Sequence, residues 1–438
     1  MTSPRDLTFR QSLLTPLFAA IRAGESSAVV GVSSVGKTRL LDFLFHTDVQ
    51  QHYLGDAANT LRFVRTDANR AAALSEWGLY ELLLTVLVEA VSGLPDKATA
   101  ESLQQRLTSL RTEVILHKDA LLAQRHLETA ALIVCAEHGL RLAIVLDEFD
   151  DFYTKLPAPA LANLRGLRDL VKPHNYGISY VLMMRHDPAR LRDPDECEGF
   201  YELLSRHVLG LRPYTRSDAL GVLEHAQKRR NLVLPNDTRE RILTQSGGHG
   251  GIIDALVSSA DQDQTAGLAG PVIEECRKIW GSLADDERIL LSQQAAGIPI
   301  PANDLARASL LLKGILLEDH LFSSLFSEYI AKYCTASNHK LWLDESQHAV
   351  WIGDHMVGNL SAKEFNLLKL LYIHAGEVVT RDDVIQILYP GEESSASESE
   401  DNRLDAFIRR LRSKIEPAPS HPIYLITKLG VGYKLLIN

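Results

Sequence analysis

The chain has 438 residues, of which 45% are hydrophobic and 23% charged, with a formal net charge of −10. These values exclude collagen-like, low-complexity and wholly disordered chains, and the acidic balance excludes a global cationic field that would draw the protein onto DNA or a membrane. Any nucleic-acid contact must come from a local patch. At about 150 residues per domain, the length implies two to four domains. Cys135, Cys197, Cys276 and Cys334 are scattered and form no CxxC pair, so neither a zinc site nor a disulfide framework is expected and a reducing cytoplasm is the simplest location. Residues 1–6 lack the apolar core of a secretory signal. The most apolar stretch, 79–94, is interrupted by Glu81 and Glu89 and is too short to span a bilayer, so it reads as a buried helix.

In chain order, residues 26–32 form a short apolar strand that leads into Ser33, Ser34, Val35, Gly36, Lys37 and Thr38, with helical periodicity over 39–44. Strands are expected at 61–65, 142–146 and 178–184, with helices at about 79–91 and 116–137. The strands at 142–146 and 178–184 are continuous apolar runs, as strands buried on both faces of a parallel sheet must be. Alternating strands and helices over the first 200 residues predict an α/β domain. Helices follow at 215–231, 237–245 and 252–259, punctuated by Pro235 and by the turn Gly247, Gly248, His249, Gly250, Gly251. A further helical stretch at 272–296 precedes a compact helical unit with a short hairpin. Polarity rises around 335–338, and a last unit begins near residue 340.

Gly31-x4-Gly36-Lys37-Thr38 matches the phosphate-loop pattern and lies where that loop belongs, after a strand and opening a helix. Glycines let backbone N–H groups, including those of Ser33 and Ser34, turn toward phosphates, and the helix N-terminus adds a favourable dipole. Lys37 is expected to reach the terminal phosphates and the Thr38 hydroxyl to ligate Mg²⁺. The strand at 142–146 delivers Asp147 and Glu148 at its C-terminal edge, where open α/β sheets bind ligands. Asp147 is expected to hold the Mg²⁺ shell and Glu148 to polarise an attacking water. Asp150 and Asp151 read as a solvated helix start. Arg185 ends the next apolar strand and is a candidate γ-phosphate sensor.

On these residues the segment 1–333 resembles the STAND/AAA+ branch of P-loop ATPases, close to the archaeal-type ATPases. The likeness extends to Leu211-Arg212-Pro213, to the Gly247-Gly248-His249 turn, and to a segment from Trp280 to Ile330 resembling a small winged-helix domain. It implies His249 as a nucleotide-side residue, and Gly250 stands where the family usually has proline. It also implies a nucleotide-gated switch that self-associates with ATP.

Near the C-terminus, Leu404, Ile408, Leu411 and Ile415 form one apolar helical stripe, and the opposite face carries Asn402, Ala406, Arg409, Arg410 and Ser413. A buried face with a basic, small-residue outer face suits major-groove docking. From residue 402 onward the basic residues Arg403, Arg409, Arg410, Arg412, Lys414, Lys428 and Lys434 outnumber the acids Asp405 and Glu416. The run 391–401 has five acids and no base, and reads as a loop or as a mask over the basic helix. A hairpin is expected around Gly430 and Gly432.

Through the segments 360–368 and 378–381, the helix around 408–414 and the closing 430–433, this region resembles the OmpR/PhoB-type winged-helix output domain over nearly a hundred residues. That resemblance implies that Asn402, Ala406, Arg410 and Arg412 face DNA from the recognition helix and Thr427 from the wing. Leu429 replaces the usual wing arginine, with Lys428 beside it, and Phe407 replaces a common polar residue. The expected architecture is thus a multidomain chain: an α/β P-loop ATPase core at 1–205, a helical lid at 206–268, a middle winged-helix-like domain at 269–335 and a C-terminal winged helix-turn-helix at 338–438. The expected ligands are ATP and Mg²⁺. Double-stranded DNA, a second copy of the chain and an unidentified signal ligand or protein are the expected partners, with no membrane. The leading function is an ATP-dependent DNA-binding regulator of transcription. A signalling or phage-defence ATPase whose winged helix binds protein, and an ATP-dependent DNA remodeller or loader, stay open.

Overall fold

The structure, a computed structural model, describes residues 7–437 apart from 172–176, 262–266, 299, 301–302, 335–340, 346–347, 353–354, 359, 389–397, 417–421, 423 and 429–430. Its chain divides into two compact units. Met1–Ala284 with Asn303–Phe326 form the first, and Asp285–Ala302 with Ser327–Asn438 the second. The segment 269–335 is therefore shared between them. No helix among the described residues is long and apolar enough to cross a membrane.

Five parallel strands organise the first unit: β1 (Ser27–Val30), β2 (Leu61–Asp67), β3 (Arg141–Asp147), β4 (Ile178–Met184) and β5 (Val208–Gly210). They lie in the order β2-β3-β4-β1-β5. All seven residues of β4 and the five central ones of β3 are buried. Helices cover both faces, and the apolar runs leave no polar alternation that would suit a solvated face. The apolar stretch near residue 80 is the helix Glu76–Ser92, which buries Leu79, Leu82, Leu83, Leu84 and Leu87.

Helix boundaries differ from the sequence pattern in two places. Lys97–His117 forms a helix of 21 residues that the apolar spacing does not signal, because it buries only Ala100, Leu103, Leu107 and Val114. It ends at Lys118 in a left-handed conformation (φ 51°), and Asp119 caps a new helix by accepting the Leu122 N–H. The expected continuous helix over 272–296 is broken as well, into Gly270–Gly281 and Asp285–Ala295.

Three helices follow, Arg216–Arg230, Asn236–Ser246 and Gly250–Asp261, and the last two are joined through Gly247 (φ 56°) and Gly248 (φ 79°). Glycine is required at both positions. A Cβ at Gly247 would lie 1.8 Å from the Phe322 carbonyl oxygen and one at Gly248 would lie 2.1 Å from that of Tyr214.

The second unit contains a winged helix. Three antiparallel strands, Leu341–Asp344, Ala349–Ile352 and His355–Met356, precede the helices Ala362–Ile373, Arg381–Leu388 and Glu398–Ile415. A second antiparallel sheet places Gly432–Leu435 between Val378–Thr380 and Leu425–Lys428. Its core joins Phe365, Leu368, Leu371, Leu404, Leu411 and Tyr433. Ser361 and Glu364 form a reciprocal capping box at the start of the first of these helices.

The helix Glu398–Ile415 begins earlier than its apolar stripe, so the end of the acidic run is helical backbone rather than loop. Acidic residue types are favoured in a first helical turn by the helix dipole. Residues 391–397, and with them the expected mask, lie outside the described residues, as do the wing positions Leu429 and Gly430.

Leu411 is fully buried in this core. The variant Leu411→Ala is expected to destabilise the second unit by about 2–5 kcal/mol, read as a lower denaturant midpoint in equilibrium unfolding.

Candidate functional site

Because β4 separates β1 from β3, the C-terminal ends of these three strands deliver the phosphate loop, Arg185 and Asp147-Glu148 side by side. Lys37 Nζ lies 3.2 Å from Glu148 Oε1, and an Arg185 guanidinium nitrogen lies 2.9 Å from Glu148 Oε2. Glu148 adopts φ 52°, a left-handed conformation that costs a non-glycine residue about 1–3 kcal/mol, and its N–H donates to Asp147 Oδ1 at 3.0 Å.

The two carboxylates are tuned in opposite directions. Burial raises the Asp147 pKa, reinforced by neighbouring Glu148 and Asp67 and opposed by Lys37. Burial also pushes Glu148 upward, but Lys37 and Arg185 outweigh it and hold this group below the usual carboxylate range. Asp67 is paired in register with Asp147 on the neighbouring strand, a placement that the sequence does not signal.

A cleft of about 550 Å³ opens on this edge. It is lined by Ser33, Ser34, Gly36, Lys37, Thr38, Asp147 and Glu148, together with Tyr214, Val222, His225, Arg229, Gly250, Asp254 and Lys278. Gly31 is packed against Leu211 beneath the loop, where a Cβ would approach Leu211 Cβ to 2.9 Å. At Gly36 (φ 109°) a Cβ would lie 2.0 Å from the Tyr214 hydroxyl.

The donor set suits a nucleoside triphosphate with a divalent cation. Lys37 and the N-terminus of Lys37–Leu44 supply positive potential. Thr38 and the charge-disfavoured Asp147 supply oxygen. Among the described residues no group of three or more His, Cys, Asp or Glu side chains could hold a metal. The two oxygens of Thr38 and Asp147 at the cleft fit Mg²⁺, which usually takes one or two protein oxygens and completes its shell with phosphate and water.

Two expected roles change. Asp150 is not solvated: it is buried, and its carboxylate accepts the backbone N–H groups of Arg185 (3.0 and 3.1 Å) and His186 (3.1 Å). Asp150, two residues beyond Glu148, thereby fixes the end of β4. His249 does not line the cleft. It is fully buried, and its Nδ1 accepts the Ile252 N–H (3.4 Å), so Nε2 carries the hydrogen and donates to the Ser33 carbonyl at 3.0 Å. His249 supports the loop from behind.

Sequence patterns also missed Arg10. Its guanidinium donates to the carbonyls of Val35 and Arg212, both at 2.7 Å, and lies 3.9 Å over the Tyr214 ring. A lone arginine ahead of the first strand carries no spacing signal.

In the winged helix, Leu404, Phe407, Ile408, Leu411 and Ile415 are buried. Phe407 is thus a core residue rather than a substituted polar contact, and Arg403, Ala406, Arg409, Arg410 and Lys414 are exposed. Among the described residues no carboxylate pairs with Arg409 or Arg410. Lys428 is exposed and Lys434 half-buried. Asn402 lies on helical backbone, and its side chain is outside the described residues.

By sequence, Arg412, Thr427 and Lys414 belong to the DNA-facing set; packing engages all three. Arg412 donates twice to the Leu425 carbonyl (3.0 and 2.7 Å) and once to the Thr427 hydroxyl (2.8 Å), clipping the helix to the wing strand. Lys414 pairs with Glu364 at 2.7 Å. Glu416 is buried, and its carboxylate accepts the Tyr424 and Leu425 N–H groups, so it does not offset the basic face.

Residues 356–435 match the family model described as "Transcriptional regulatory protein, C terminal". The C-terminal domain is of the OmpR/PhoB type. Sensory transduction protein RegX3 of Mycobacterium leprae (strain TN) is 36% identical over 95 residues, 22% of this chain and 46% of that protein. The chain thus spans less than half the length of this curated relative. The DNA-binding domain of Klebsiella pneumoniae RstA, solved with the RstA box, is 28% identical and covers 23% of this chain and 93% of its own, with a TM-score of 0.20. A Walker-type ATPase of Pyrococcus abyssi is similar over 75% of this chain and 99% of its own, at 14% identity and a TM-score of 0.43. The strand order and phosphate loop give the first unit a P-loop ATPase-like fold of its own.

Burial pulls His249 from its ordinary 6.5 down to about 4, against the smaller upward pull of its bond to Ser33. Between these values the unfolded chain binds a proton that the folded chain refuses, so stability falls as pH drops through this window. Stability is expected to fall by about 2 kcal/mol from this group between pH 7 and pH 5. Denaturant midpoints measured across that range should show a flatter slope for His249→Gln.

Proposed function

We propose that the protein is an ATP-dependent DNA-binding regulator of transcription, in which nucleotide state controls how the C-terminal winged helix is presented to DNA. The observation that carries this reading is the presence, in one chain, of the Lys37–Glu148–Arg185 cluster at a phosphate loop and of an OmpR/PhoB-type domain whose recognition helix leaves Arg409 and Arg410 exposed. In this chain an ATPase-like unit precedes the output domain, so nucleotide state takes the place of an input signal.

Lys37 and the loop amides would hold the phosphates, and Thr38 and Asp147 would hold Mg²⁺, which would neutralise phosphate charge. Glu148, kept ionised by its cations, is the base that orients water once Lys37 turns to phosphate. Asp150 holds Arg185 in reach of the same point. Ala406, Arg409 and Arg410 enter the major groove, while Lys428 and Lys434 contact the DNA backbone. Self-association on ATP binding presents several winged helices at once, which lifts the affinity of a module with modest local charge.

Genomic-fragment pulldown with the purified protein under ATP and ADP, across a salt series, tests the reading. ATP-dependent enrichment of a specific site supports it. Sequence-independent binding with DNA-stimulated turnover would point to a remodeller, and the absence of DNA in every nucleotide state to a protein-binding role.

Two variants sharpen the test. Lys37→Ala is expected to weaken ATP binding by at least about tenfold, measured by fluorescent-nucleotide titration. Arg410→Ala is expected to lower specific DNA affinity by about 1–3 kcal/mol with unchanged thermal stability. Arg412→Ala, which breaks the wing clip, should instead lower the unfolding temperature.

A further inference from the structure

The backbone of Ser33 is held on both sides by residues far along the chain. Its N–H donates to the Ser282 hydroxyl (3.1 Å), and its carbonyl accepts from His249 (3.0 Å). The next carbonyl, that of Ser34, accepts the Gly251 N–H at 3.1 Å, and Ser34 is itself left-handed (φ 57°). Ser282 is oriented for this role: its hydroxyl donates to the Ile279 carbonyl (2.7 Å) and so turns a lone pair toward Ser33. It is buried and follows directly on the helix Gly270–Gly281. Two residues later, at Ala284, this part of the first unit ends, and Asp285 opens the helix Asp285–Ala295 of the second unit.

We infer that Ser282 is a positioning residue that couples the phosphate loop to the second unit. When the loop amides turn onto phosphate, the bond between Ser33 and Ser282 changes, and the change passes through Leu283 and Ala284 into the helix that follows. The coupling rests on the nucleotide reading above and deepens it by naming the point of transmission. A neutral hydrogen bond biases a two-state equilibrium by about two- to tenfold, enough to transmit a signal and weak enough to exchange. His249 and Gly251 pass the same loop movement to the lid turn, so lid and second unit respond to one displacement.

Amide hydrogen exchange on the full chain, with and without MgATP, tests the coupling in wild type, Ser282→Ala, Ser282→Thr and Lys37→Ala, beside fluorescent-nucleotide titration and thermal unfolding. In wild type, ATP should change exchange both in the loop and across residues 285–295. Ser282→Ala should bind ATP within about threefold of wild type and keep the loop response while losing the response at 285–295. Ser282→Thr, which keeps the hydroxyl, should restore it, and Lys37→Ala should lose both.

A response at 285–295 that persists in Ser282→Ala overturns the coupling. So does wild-type ATP binding with no response there, failure of Ser282→Thr to restore it, or loss of ATP binding in a folded Ser282→Ala. Wild type that binds no ATP overturns the nucleotide reading itself and the coupling with it, an outcome the titration reports separately.

Discussion

One carboxylate shared between two cations governs the first unit. Glu148 is held by Lys37 from the strand-β1 loop and by Arg185 from the end of β4, and it does so from a left-handed backbone. The contact depends on strand order. With β4 between β1 and β3, the three strand ends lie close enough for one side chain to bridge them. The Asp150 carboxylate secures the arrangement by holding the first two backbone amides beyond β4, so that Arg185 and Glu148 keep their separation. On the proposed nucleotide reading the Lys37–Glu148 ion pair is a resting contact that phosphate would displace, since a charge-assisted bond to phosphate can replace one to carboxylate.

Around this cluster the phosphate loop is clamped from behind. Arg10, His249 and Ser282 each hold a backbone group of the loop, and Tyr214 leaves no room for a side chain at Gly36. These supports come from the N-terminal arm, the turn at 247–249 and the segment just before the second unit. The proposed switch rests on these shared supports. The winged helix, by contrast, is self-contained. Its recognition helix is fixed by an apolar stripe on one side and by the Arg412 and Lys414 contacts at its C-terminal end, leaving Arg409 and Arg410 outermost.

The α/β class, the phosphate loop, the acidic end of β3 and the winged-helix pattern were legible from residue order, because each rests on local spacing. Apolar runs mark strands buried on two faces, glycine spacing marks a loop that must curl, and a three-to-four residue period marks a helix with one buried side. The helix Lys97–His117 was not legible, since its four buried positions are too sparse to stand out against its polar face. In sequence Phe407 looks like polar-site variation, because its depth depends on how the helix is rolled against the sheet.

Sequence alone determined that a loop of the phosphate-loop pattern, two carboxylates and a basic helix exist in this chain. Only the tertiary structure decided which charges meet. Strand order, which no local pattern encodes, brought Lys37 and Arg185 onto Glu148. Burial turned Asp150, His249, Arg412 and Glu416 from candidate surface or ligand groups into backbone-binding supports, because a polar group taken out of water must find a partner inside the fold.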